Sequence, residues 1–236
     1  MQGFEVRGEV DVHELDFNGI AKTSSIMKYI QTAAQSQLTS RGYSYDGLKA
    51  MNRAFILSKF RLDVLSPLRA YAPFKAISFP TESRGYSFLR CYALESDGIT
   101  VARAVSVWAL VDTESRSLVR VDDFELGLPI LPPLDLTLGH IKLPSELAKV
   151  GSYGVHYGDV DQNMHMNNTK YPDMYSSFLP LMGKMIESIT IDYQNEAQIG
   201  DRLSVERAES VGSYFFRTTR SDGKINSIAE IRLRDI

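Results

Sequence analysis

Asp159-Val160-Asp161-Gln162-Asn163-Met164-His165-Met166-Asn167-Asn168-Thr169-Lys170-Tyr171 packs carboxylate, amide and imidazole side chains into one turn ahead of an apolar-periodic run. Tyr171, Met174, Tyr175 and Phe178 fall at helical spacing, so a helix should start near Asn168 or Thr169. Pro172 stands in its first turn, where a missing N–H costs little, and Pro180 should end or kink it. A helix start offers unsatisfied N–H groups and a positive dipole end, which suit a developing oxyanion. His165 brings a proton affinity near neutrality. Asn163 can position a group without ionising, and Asp161 can orient a neighbour or act as a base.

Upstream, the same plan occurs once before. Phe4 to Val12 is strand-like, Asp16-Phe17-Asn18-Gly19 is a turn, and Thr23-Ser24-Ser25 can cap a helix. Ile26, Tyr29, Ile30, Ala33, Ala34 and Leu38 then recur at helical spacing, with Gly42 just beyond. Four β-rich runs follow between Ala54 and Asp112, punctuated by Pro67 and Asp97-Gly98. After the polar turn the second half likewise gives strand runs at Ile186–Tyr193, Arg202–Ala208, Tyr214–Thr219 and Ile225–Leu233, with Asp222-Gly223 as a hairpin signal. Gly154–Tyr157 is a short strand candidate before the turn.

The two halves align by residue type, which predicts an internal duplication of one α+β unit. Asp16-x-Asn18 falls on Asp161-x-Asn163, and Glu82-Ser83-x-Gly85-x-x-Phe88-x-Arg90 on Glu209-Ser210-x-Gly212-x-x-Phe215-x-Arg217. In this alignment Ile20 stands opposite His165, and setting Leu68 against Ile199 puts Leu65 opposite Glu196. The expected domains are residues 1–125 and 146–236. They are joined by a proline-rich, extended linker over 126–145 that contains Pro129, Pro132, Pro133 and Pro144.

Composition removes several classes of function. A net charge of -3 gives no global attraction for nucleic acid or anionic membrane. The longest apolar runs, such as Val105 to Val111, are too short to span a bilayer. One cysteine, Cys91, forbids an intramolecular disulfide, and the N-terminal residues lack a signal-peptide pattern, so a cytoplasmic protein is expected. No phosphate loop, serine-hydrolase elbow or His-Glu-x-x-His helix occurs. His156, Asp161 and His165 could meet a metal, but no Cys/His cluster supports it, and none is expected.

Asp161-x-Asn163-x-His165-x-Asn167-Asn168-x-x-Tyr171 resembles the active-site segment of the plant and bacterial acyl-acyl carrier protein thioesterases. Tyr193-Gln194-Asn195-Glu196 resembles that family's later Tyr-x-x-Glu motif, and Ala197 stands where many plant members have cysteine. The resemblance implies a tandem double hotdog of the α+β class, each half a curved antiparallel sheet wrapped around a long central helix. It implies hydrolysis of fatty acyl thioesters on acyl carrier protein, without cofactor or membrane insertion, by Asp161, Asn163, His165 and Glu196. Ala197 argues against a thiol nucleophile, leaving Glu196 or Asp161 to activate water or attack directly. The acyl tail is expected in the first half, against residues such as Ile26, Ile30 and Ala33. An acyl-CoA hydrolase, a non-catalytic acyl-binding hotdog and a hotdog dehydratase are the alternatives; a homodimer is left open.

Overall fold

The computed structural model describes residues 2–236. Eleven strands form one antiparallel sheet: β1 (Phe4–Glu9), β2 (Arg53–Val64), β3 (Pro73–Pro80), β4 (Phe88–Ser96), β5 (Ile99–Asp112), β6 (Leu118–Val119), β7 (Ala148–Gly154), β8 (Lys184–Tyr193), β9 (Arg202–Ser210), β10 (Ser213–Thr219) and β11 (Ile225–Asp235). Their order is β1-β3-β4-β5-β2-β8-β11-β10-β9-β7, with β6 beside β5. Read from its outer edge inward, each half has the same order, and the halves meet where β2 pairs antiparallel with β8.

Helix α1 (Thr23–Thr39) lies on the first-half sheet and buries Ile26, Met27, Ile30 and Ala33. Its expected serine/threonine cap lies inside the helix: Lys22 is the N-cap, and Ser25 Oγ donates to the Glu14 carbonyl instead. A short α2 (Tyr45–Ala50) follows, capped by Ser44. The second half departs from the expected long helix. A 3-10 turn at Asn168–Lys170 leads into α3, only Tyr171–Ser176. Pro180 accounts for the early stop, because its ring opposes the Ser176 carbonyl and bars Leu179 from helical geometry. Tyr157 opens a 3-10 turn, and of the strand expected at Gly154–Tyr157 only Gly154 is in a strand, as the last residue of β7, which begins six residues earlier. Local propensity hides it because β7 holds two glycines; Gly151 is required, since a Cβ there would stand 2.7 Å from the Phe178 ring.

Between β6 and β7 the chain has no strand, but it is not a free linker. Leu131, Leu134, Leu136 and Leu138 pack on the outer face of β3–β5 against Ile77, Phe79, Cys91, Ala93 and Val105. Arg61 and Lys59 on β2 donate to the carbonyls of Thr137 and Gly139 and fasten the strap further.

Backbone hydrogen bonds fix the correspondence between halves. Asp16 N–H donates to Ile20 O (2.8 Å) as Asp161 N–H does to His165 O (2.9 Å). Ala21 N–H donates to Leu68 O, and Met166 N–H to Ala197 O. Leu65 and Ser66 amides share Val101 O, just as those of Gln194 and Asn195 share Asn226 O. Leu68 therefore matches Ala197, and the first-half counterpart of Glu196 is Pro67, not Leu65. The nine-residue repeat is also out of structural register. Ala102 pairs with Val64 and Leu94, Ser227 with Tyr193 and Thr218, and a bulge follows Leu94 and Thr218 alike. Arg90 thus corresponds to Tyr214 rather than Arg217, three residues from the position that residue type suggests.

Candidate active site

The Asp161–Met166 turn is built by local bonds. Asp161 Oδ1 accepts the Asn163 N–H at 2.8 Å, and Met164 takes a positive φ of 64° to close the turn. A bridge between His165 and Gln198 ties the turn to the loop after β8. Glu196 lies on that loop, and its Oε2 stands 3.3 Å from His165 Nε2. His165 is 28% exposed and Glu196 53%, so the pair meets solvent.

Asn163 is held from the other half: Tyr45 Oη on α2 donates to Asn163 Oδ1 at 2.9 Å. The sequence carried no signal for Tyr45, because the contact spans 118 residues. Asn226 was equally hidden. Buried on β11, it donates from Nδ2 to Asn195 O and Tyr171 Oη and accepts from Thr218 Oγ1. Its own carbonyl receives the Gln194 and Asn195 amides, so it anchors the loop that carries Glu196. Arg220 Nη1 adds a bond to the Glu196 carbonyl.

The helix start is less open than the sequence suggests. Asn167 Oδ1 caps the Thr169 N–H and hydroxyl, and the Met166, Asn167 and Lys170 amides bond to Ala197, Asp159 and Asn167 carbonyls.

Models of two domains match the chain: the acyl-ACP thioesterase N-terminal domain over residues 2–126 and the acyl-ACP thioesterase C-terminal domain over 144–234. The chain belongs to the acyl-ACP thioesterase family. It is 23% identical to the chloroplastic oleoyl-acyl carrier protein thioesterase of Coriandrum sativum over 217 residues, 81% of this chain and 58% of that protein. The chain thus spans about three-fifths of that relative's length. An acyl-ACP thioesterase structure from Bacteroides thetaiotaomicron superposes with a TM-score of 0.85 at 19% identity, covering 98% of this chain and 97% of that one. The 12:0-ACP thioesterase of Umbellularia californica gives 0.83 at 17%, covering 100% and 99%. At these identities the likeness establishes the antiparallel α+β fold.

In this acyl-ACP thioesterase family member, a cavity of about 1280 Å³ opens beside the turn. Asn163, Gln162 and Thr169 line it from the second half; Leu38, Leu48, Phe55, Phe88 and Trp108 line it from the first. His165 and Glu196 stand outside its wall, beyond Asn163. Ile26, Ile30 and Ala33 do not line it either. They face the sheet core, while Gln31, Ala34, Gln35 and Leu38 turn another side of α1 to the cavity. Helical periodicity selects the most apolar face, and that face is the one packing claims first. Lys28, Lys49, Arg53 and Lys170 share the wall with Glu82, Asp122, Glu125 and Asp159.

Proposed function

We propose that the chain hydrolyses fatty acyl thioesters on acyl carrier protein, with one site in the second of two fused hotdog halves (1–125 and 146–236) and the acyl tail in the first. The observation that carries this reading is the 3.3 Å approach of His165 to Glu196, beside Asn163 on the wall of a 1280 Å³ cavity.

Glu196 acts as the general base. Its carboxylate takes a proton from a water molecule, whose oxygen attacks the thioester carbonyl. His165 holds the carboxylate and the water in line. Because Tyr45 bonds the Asn163 oxygen, the Asn163 Nδ2 is left to donate to the carbonyl oxygen as negative charge develops. The C–S bond then breaks, the leaving sulfur takes the proton back from Glu196, and a fatty acid and the carrier thiol depart. Asp161 shapes the turn: its carboxylate caps Asn163, as Asp16 caps Asn18 at 2.8 Å in a turn where Ile20 stands in the place of His165.

Thiol release from acyl-acyl carrier protein and acyl-CoA substrates of equal chain length tests the reading. Cleavage faster on the protein carrier supports it. Cleavage on CoA alone would move the substrate class, and no cleavage on either by folded protein would refute the enzyme reading.

A further inference from the structure

The cavity wall mixes apolar residues with acidic and basic side chains, and one of its cations is buried. Arg90 sits within β4, 6% exposed, and lines the cavity. Its Nη1 donates to Gln37 Oε1 at 2.6 Å and Ser78 Oγ at 2.8 Å, both uncharged. Among the described residues, no carboxylate forms an ion pair with the guanidinium, whose side-chain partners are Gln37 and Ser78. Burial pulls its proton affinity down, yet an arginine keeps its proton in a protein. A buried cation with only neutral partners is costly unless an anion reaches it. A second, independent observation concerns Gln31 on α1. Its Nε2 is buried without a hydrogen-bond partner, and the residue lines the same cavity. A cavity meant for plain hydrocarbon needs neither donor.

We infer that the preferred acyl group carries a carboxylate away from the thioester, bound by Arg90 with Gln31 as a further donor. The inference rests on the proposed thioesterase reading and deepens it. With the thioester end at Asn163, the acyl chain shares the cavity with Phe55, Phe88 and Trp108 as well as Arg90. Lys28 and Lys49 cannot serve this purpose, being exposed, whereas Arg90 lies where a charge-assisted bond is least diluted by water.

The test compares an alkyl and an ω-carboxyalkyl thioester of equal length on acyl carrier protein, with the full chain. The wild type should favour the carboxylated substrate in kcat/KM by about 10- to 100-fold, the range for one charge-assisted bond. Arg90→Met should reverse the preference, and Gln31→Leu should narrow it. Calorimetric binding of a free dicarboxylic acid against its monocarboxylic counterpart should show the same order without any turnover. A wild-type preference for the alkyl chain, or a preference unchanged in a folded Arg90→Met, overturns the inference while leaving the thioesterase reading intact. If Arg90→Met fails to fold, the wild-type preference and Gln31→Leu decide. Absence of cleavage on both substrates, by contrast, strikes the function, and binding then judges the cavity alone.

Discussion

Ile20 occupies in the first half the place that His165 occupies in the second: each carbonyl accepts the amide of the aspartate four residues earlier, at 2.8 and 2.9 Å. With Pro67 opposite Glu196, the first-half turn keeps the backbone geometry and has neither a histidine nor a carboxylate at the places of His165 and Glu196. His165→Ala and Glu196→Ala should therefore each lower kcat by about 100-fold or more in folded protein, as should Asn163→Ala. Asn18→Ala should act on stability. Its Nδ2 donates to Leu181 O (2.8 Å) and Lys184 O (3.0 Å), and its Oδ1 accepts the Gly183 amide (3.1 Å), which staples one half to the other. Loss of about 1–3 kcal/mol in denaturant unfolding, with kcat nearly kept, is the expected pairing. Abolished turnover in a folded Asn18→Ala would assign chemistry to the wrong half.

The two carboxylates near Asn163 are separated by conservative substitution. Asp161→Asn retains an oxygen for the Asn163 amide, so the turn should persist and kcat should fall by less than about 10-fold. Glu196→Gln keeps the shape and loses the base, with a fall of about 100-fold or more. The reverse order of sensitivity, in single-turnover assays, would make Asp161 the base.

Cys91 lies 1% exposed beneath the strap, and burial pushes its thiol above the ordinary range, away from the thiolate that nucleophilic chemistry needs. Cys91→Ser should keep its activity within about threefold and cost about 1 kcal/mol, the cost of placing a hydroxyl in an apolar site. Thiol-release rates and a melting curve check both halves of this statement; a folded variant about 100-fold slower would restore a cysteine mechanism.

Asn226→Ala removes the bonds to Asn195 O and Tyr171 Oη and leaves Thr218 Oγ1 without that acceptor. Stability should fall by about 2–4 kcal/mol, and kcat should fall beyond the loss of folded protein, because Glu196 rides on the loop that Asn226 holds. An unchanged kcat per folded molecule would show that the loop is positioned otherwise.

Burial pushes the Tyr171 phenol up to about 12 and also raises Tyr175 and Tyr193. The unfolded chain ionises its tyrosines near ~10, so the folded state binds more protons above that pH. Stability from the neutral phenols is therefore complete below about pH 10 and lost as pH climbs towards 12. Melting temperatures from pH 8 to 11.5 should decline with that profile, and Tyr171→Phe should flatten it. A slope unchanged in Tyr171→Phe would place the titrating groups elsewhere.

Most element types, the turn chemistry and the motif residues are legible in the residues alone. Helix α1, the Asp97-Gly98 and Asp222-Gly223 hairpins and the Asp161 to Tyr171 turn are set by periodicity and turn preference over a few neighbouring residues. Tertiary structure decided what depends on register and distance. A match by residue type mislaid the counterparts of Arg90 and Glu196, because strand pairing and backbone hydrogen bonds, not residue identity, set the correspondence between halves. The face of α1 open to the cavity, the reach of Tyr45 to Asn163, and the burial of Arg90 without a counter-ion all arise from contacts between segments far apart in the chain. Such contacts leave no local pattern, because each is fixed by hydrogen bonds and packing that exist only in the folded chain, and the reach of Tyr45 to Asn163 also needs β2 and β8 to join the two halves.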